Sequence, residues 1–155
     1  MVSFLLHSPT GTPKMNIVIS PLTLNAYEKI LALWKESEGI GLSGADSKES
    51  IRSYLERNPE MSLIAEDGRG TLLGTVLCGH DGRRGYIYHL AVHPDHRRQG
   101  IGRKLVQECL ARLEVAGIQK CHIFIFENNA SGTDFWKAIG WTYREDIRVI
   151  SKDVG

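Results

Sequence analysis

Tyr88-His89-Leu90-Ala91-Val92-His93-Pro94-Asp95-His96-Arg97-Arg98-Gln99-Gly100-Ile101-Gly102 is the stretch at which a strand pattern gives way to a helix pattern. Upstream, Tyr86 to Val92 reads as a strand; downstream, Ile101, Leu105, Val106, Cys109, Leu110 and Leu113 recur at helical spacing until Gly117 stops them. A strand-to-helix junction leaves the first helical N–H groups without intrahelical acceptors, and the helix dipole adds partial positive charge there. Gly100 and Gly102 remove the Cβ atoms that would keep a ligand from the main chain, and Arg97, Arg98, Arg103 and Lys104 add local charge. The chemistry fits a pyrophosphate. Ordinary helix starts recruit glycines as well, so the pair alone does not decide. A dinucleotide fingerprint would need a small residue where Leu105 stands, and a Walker loop would need Gly-Lys-Ser/Thr, which is absent.

Working outward, three strand-like runs precede the junction: Met61 to Ala65, Thr71 to Cys78 and Tyr86 to Val92, separated by Asp67-Gly68 and Asp81-Gly82. They predict an antiparallel meander. Further upstream, Asn16 to Ile19 predicts a first strand, and Leu24, Tyr27, Ile30, Leu31 and Trp34 predict an amphipathic helix. Gly39, Gly41 and Gly44 break the chain before Asp46, which with Glu49 has capping-box spacing and predicts a second helix. A glycine-rich segment between helices can open as a substrate entrance. Downstream, the apolar run Cys121 to Phe126 predicts a strand buried on both faces near the sheet centre. A helix over Phe135 to Ile139, ended by Gly140, and a last strand from Trp141 to Ile150 complete a mixed α/β (α+β) order. Residues 1–14, rich in Pro, Gly, Ser and Thr, read as a flexible N-terminal extension, and residues 15–155 as a single domain.

Bulk properties agree with one compact unit. The chain has 155 residues and 42% hydrophobic content, enough to bury a core without staples. Nineteen basic residues against eighteen acidic ones give +1, so no global field draws it to nucleic acid or an anionic membrane. Cys78, Cys109 and Cys121 form no CxxC pair and read as buried thiols in a reducing compartment. Phe4-Leu5-Leu6 is too short for a signal peptide or a membrane span, which makes the cytoplasm the expected location. His93-Pro94-Asp95-His96 lacks a third and fourth ligand, so no metal is expected. Arg83-Arg84 reads as a solvated hairpin tip.

The stretch from Tyr88 to Gly102 resembles the central motif of the GNAT superfamily of N-acetyltransferases, Arg/Gln-x-x-Gly-x-Gly/Ala after a Leu-Ala-Val-x-Pro strand end, with Arg97, Gly100 and Gly102 at the motif positions. Asn129 to Trp141 is similar to the family's Asn-x-x-Ala-x-x-Phe-Tyr-x-x-x-Gly-Phe pattern, with Asn129, Phe135 and Gly140 in place. Gly74-Thr75-Val76 and His80-Asp81-Gly82-Arg83-Arg84-Gly85 further resemble the YpeA-like bacterial branch. The resemblance implies a mostly antiparallel sheet splayed between its fourth and fifth strands, flanked by about four helices, with acetyl-CoA in the gap. It implies that backbone groups of Leu90, Ala91 and Val92 hold the pantetheine. Arg97, Arg98, Gln99, Gly100, Ile101, Gly102 and Arg103 would hold the pyrophosphate. Asn129 would reach the coenzyme from the other side, and Trp136 would pack on its arm. The acceptor would be an amine of a small molecule or a protein. Dimerisation is common among similar proteins, so a homodimer stays open.

Acetyl transfer needs a neutral amine, donors for the oxyanion and a proton for the departing thiolate. Relatives often use a tyrosine acid where this chain has Trp136, whose indole N–H is no useful acid, and some place a glutamate where Phe124 stands. The remaining candidates are His89, Tyr88 and Glu127, with His89 leading as base because an imidazole exchanges its proton near neutral pH. Each has a structural reading beside it. A strand histidine is commonly a core residue, Tyr86 and Tyr88 would share one sheet face, Glu127 could be a solvated strand end, and Trp136 suits a core aromatic. The rivals to an enzyme are a non-catalytic acyl-CoA sensor and, least favoured by the neutral charge, a nucleic-acid binder using Arg97, Arg98, Arg103 and Lys104.

Overall fold

A computed structural model describes residues 16–155; the expected extension, residues 1–14, lies outside them. A five-stranded sheet runs in the order β1 (Val18–Pro21), β2 (Leu63–Glu66), β3 (Leu72–His80), β4 (Gly85–Val92), β5 (Cys121–Ile123). The first four strands pair antiparallel and β4–β5 is parallel. Four α-helices flank it: α1 (Tyr27–Glu36), α2 (Lys48–Arg57), α3 (Ile101–Val115) and α4 (Ala130–Ala138).

Side-chain alternation along β3 and β4 explains the two layers. Val76, Cys78 and Ile87 point to one face, where Ile101, Leu105, Val106, Cys109 and Leu113 of α3 bury them. Leu77 and Ala91 point to the other, where Ile30, Leu33 and Trp34 of α1 and Ile51 of α2 cover them. Gly74 and Gly85 let α3 approach: a Cβ on Gly85 would stand 2.7 Å from Leu113 Cδ1, and one on Gly74 would stand 2.9 Å from the Ala91 carbonyl.

The pairing of β4 with β5 covers only Gly85 to Ile87 against Cys121 to Ile123. Beyond Ile87 the fourth strand continues to Val92 with no paired strand on that side among the described residues, so the sheet opens there as the resemblance implied.

Five expectations are corrected. The first strand begins at Val18 rather than Asn16, and the second spans Leu63–Glu66 rather than starting at Met61. Asp46 does not cap α2. Ser43 and Asp46 form the capping box, around a single 3-10 turn (Gly44–Asp46), and Ser47 caps α2 through Ser50 N at 3.1 Å. The fifth strand is neither long nor central: it ends at Ile123 on the sheet edge, and Phe124 and Phe126 are 58% and 55% exposed. The cause is a missing neighbour, because Trp141 to Ile150 forms no strand and exposes all but Trp141. An apolar run becomes a central strand only when both edges are paired.

Candidate active site

The gap between β4 and β5 is bordered on one side by the outgoing half of β4, from Tyr88 to Val92. His93 N donates to Leu73 O at 2.7 Å, which fixes the alternation of main-chain groups in the outgoing half of β4. Ala91 and His93 then turn their groups toward β3, whereas Leu90 and Val92 turn theirs into the gap. In agreement, Val92 O meets Arg97 Nε at 3.5 Å rather than β3.

After Val92 a 3-10 turn (Pro94–His96) forms, with Asp95 N donating to His93 Nδ1 at 3.2 Å, and the chain then curls through two left-handed residues, Arg98 (φ 62) and Gly100 (φ 78). A left-handed conformation costs a non-glycine residue about 1–2 kcal/mol, and alternating left- and right-handed residues turns successive N–H groups into one concavity. Among the described residues, each main-chain amide from Arg97 to Arg103 lacks a protein acceptor; the next, Lys104 N, donates to Gly100 O at 3.0 Å. A Cβ at Gly100 would meet nothing within 4 Å, so the concavity is open, while Gly102 is packed under Phe135 Cζ at 3.3 Å from such a Cβ. Open amides, a helix dipole and the exposed Arg97, Arg98 and Arg103 suit a diphosphate. The cradle thus fits the phosphate end of a coenzyme A molecule. Gln99 lies exposed in the same curl, and Ile101 is buried beneath it.

Across the gap, Asn129 caps α4: its Oδ1 accepts from Gly132 N at 2.9 Å. Only the Nδ2 amide remains for another partner, and it lies where a Cβ on Gly39 would stand. A Cβ on Gly41 would likewise come 2.9 Å from Phe126 Cζ, so the glycine segment between α1 and α2 rests on the β5–α4 connection. Trp136 faces inward, against Trp141 (ring centroids 4.6 Å) and Phe135 (5.3 Å), and packs on the α3-side core.

The three candidate catalytic side chains separate. The β3–β4 register slips between Thr75 and Leu77, a bulge that takes His89 to φ 51 and sends it to the same face as Tyr88. There His89 Nε2 lies 2.7 Å from Asp46 Oδ1, and its ring meets Trp34 edge-on with centroids 4.8 Å apart. Tyr88 stands in an aromatic row with Tyr86 (6.4 Å), Phe124 (6.1 Å) and Tyr54 (6.5 Å). Burial, then Tyr86 and Cys121, raises its phenol above the ordinary value, which makes Tyr88 a poorer acid than a free tyrosine. Glu127 is exposed in the connection to α4 and joins neither. Sequence reasoning missed Asp46, Trp34 and Thr75; the spacing of Ser43 and Asp46 was the one local signal, and it reads as a helix cap.

The model of the Acetyltransferase (GNAT) family matches residues 27–141, most of the described chain. The chain belongs to the GNAT acetyltransferase family. Membership makes this GNAT chain an acyltransferase. It is 30% identical over 121 residues to a Yersinia pestis protein named acetyltransferase, covering 78% of this chain and 84% of that one. Its fold matches a PaiA N-acetyltransferase from Thermoplasma acidophilum, solved with coenzyme A, at TM-score 0.73 and 21% identity over 84% and 92% of the two chains. It also matches an aminoglycoside 6'-N-acetyltransferase from Acinetobacter baumannii at TM-score 0.72 and 16% identity over 90% and 100%. The Yersinia relatives carry the names acetyltransferase and N-acetyltransferase, which identify no branch, so the branch within the GNAT family stays an expectation. Among the described residues no helix of this GNAT chain is long and apolar enough to cross a membrane, and no group of three or more His, Cys, Asp or Glu could hold a metal ion.

Proposed function

We propose that the protein, acting in the cytoplasm through one domain of residues 15–155, transfers acetyl from acetyl-CoA to a primary amine by direct attack. The observation that carries this reading is the run of unpartnered amides from Arg97 to Arg103, placed beside the unpaired edge of Leu90 and Val92. The amides and the side chains of Arg97, Arg98 and Arg103 grip the diphosphate; Gln99, Gly100, Ile101 and Gly102 shape the curl. Leu90 and Val92 offer main-chain groups to the pantetheine amides, as an added strand would, while Ala91, paired with Thr75 of β3, holds that edge in register. Asn129 offers Nδ2 from the far wall, and Trp136 supports that wall from beneath.

In the chemistry, His89 takes a proton from the acceptor ammonium, leaving a neutral amine. The amine nitrogen bonds to the thioester carbonyl carbon, the C–S bond breaks, and the second amine proton passes to the departing sulfur. The balance is R–NH3+ plus acetyl-CoA giving the acetamide, CoA–SH and H+. Holding the amine against the thioester supplies much of the acceleration, since positioning alone contributes roughly 7–11 kcal/mol in well-oriented systems. Tyr88, with its raised phenol, serves as a wall and a hydrogen-bond donor rather than as the acid. The exposed Glu127 lies at the rim, where it can meet an incoming ammonium.

The test is CoA release from acetyl-CoA with a panel of amines: a polyamine, an aminoglycoside, a free amino acid, a peptide N-terminus and a lysine side chain. Turnover with one class and not the others identifies the acceptor. Acetyl-CoA binding without CoA release from any amine would leave the non-catalytic sensor instead.

A further inference from the structure

We propose that Asp46 is a positioning residue for His89, fixing which imidazole nitrogen carries the lone pair; the proposal rests on His89 acting as the base. Asp46 is 9% exposed and each part of it is held. Its Oδ2 accepts from Ser43 N at 2.9 Å, its Oδ1 meets His89 Nε2 at 2.7 Å, and its own carbonyl accepts from the Tyr27 hydroxyl at 2.7 Å. An ionised carboxylate only accepts, so His89 Nε2 bears the hydrogen. A neutral imidazole so held keeps its lone pair on Nδ1, which has no hydrogen-bond partner among the described residues.

The ring is fixed from its other side as well. Trp34 contacts it edge-on and is itself tied by Nε1 donating to Thr75 Oγ1 at 3.0 Å, while Thr75 Oγ1 donates to the His89 carbonyl at 3.4 Å. Side chain and main chain of one strained residue, at φ 51, are thus over-determined by α1, β3 and the segment before α2. Strain that the surroundings hold in place is a feature of working sites, and a buried pair of this kind adds little net stability over an apolar one. When Nδ1 takes the proton of the acceptor ammonium, the amine is left neutral and the imidazolium formed stands against the Asp46 carboxylate. Asp46 itself exchanges no proton.

Nitrogen-15 NMR of histidine-labelled protein reads the tautomer directly. The wild-type His89 is expected in the Nε2–H form, and an Nδ1–H form overturns the proposal without any variant. In Asp46→Asn the Nε2–H form is expected to mix with Nδ1–H, and kcat with the amine selected by the panel is expected to fall at least 100-fold, with KM for acetyl-CoA within twofold. Asp46→Glu, which restores the carboxylate at a longer reach, should recover part of that loss. A folded Asp46→Asn variant with kcat within threefold of wild type overturns the positioning role, provided His89→Ala abolishes turnover. If His89→Ala retains turnover, the base reading falls, and this proposal with it, whatever the tautomer.

Discussion

Gly39 lies directly against Asn129: a Cβ built on the glycine would collide with the asparagine Nδ2. Gly39 also sits at φ 81, where a side chain is strained in any surroundings. The contact joins the segment between α1 and α2 to the far wall of the gap, so a methyl there must lift one from the other. Gly39→Ala is expected to destabilise the protein by about 1–3 kcal/mol and to raise KM for the amine. At about 2–4 °C per kcal/mol for a chain of this size, a thermal melt resolves the change. An unaltered melting temperature together with an unaltered KM contradicts the packing.

Gly100 separates bulk from charge. Its Cβ direction is open, so Gly100→Ala should bind acetyl-CoA within about threefold of wild type while losing about 1–2 kcal/mol for the left-handed backbone. Gly100→Glu puts an anion beside the open amides and should weaken binding at least 30-fold by calorimetry. Equal affinity in a folded Glu variant removes the diphosphate from this loop.

Asn129 has two separable duties. Asn129→Asp keeps an oxygen for Gly132 N and should leave stability near wild type, yet it replaces the Nδ2 donor with negative charge and should weaken CoA binding severalfold. Asn129→Ala loses the cap and should cost about 1 kcal/mol as well. If Asp and Ala variants bind CoA as wild type does, Asn129 is a cap only.

Cys121 carries a pH prediction. Burial pushes its thiol from an ordinary 9.0 up to about 12. A group raised on folding contributes stability that is fully present below its unfolded value and lost as pH climbs through the folded one, here from about 9 to about 12. Chemical denaturation at pH 8 and pH 10 should therefore show lower stability at the higher pH, with the difference reduced in Cys121→Ala. A folded chain should also react slowly with a thiol reagent at pH 8, and an unfolded one should expose all three cysteines quickly. Cys121 is half-buried, unlike the buried Cys78 and Cys109, and its modification at the rate of a free thiol in the folded chain contradicts that partial burial.

Local chemistry decided what the sequence could tell. The curl after Val92 and the start of α3 follow from a run of residues adjacent in the chain, so glycine placement and helical period suffice to find them. The His89–Asp46 pair joins residues 43 apart in sequence. Its one signal, Ser43 three residues before Asp46, is shared with every ordinary helix start. The bulge that turns His89 toward Asp46 breaks strict alternation, and nothing in Tyr88-His89-Leu90 marks it. Phe124 and Phe126 show the opposite failure: their composition suits a buried strand, but burial depends on a neighbour that Trp141 to Ile150 does not provide.

The early parting of β4 from β5 has a consequence for how such a protein can diverge. Peptide groups are the same whatever residues carry them, so a ligand held by a strand edge and a loop of N–H groups survives wholesale replacement of the surrounding side chains. The aromatic row of Tyr54, Tyr86, Tyr88 and Phe124, by contrast, is made of side chains and is free to be rewritten. One molecule can stay a fixed inheritance while the other changes from lineage to lineage.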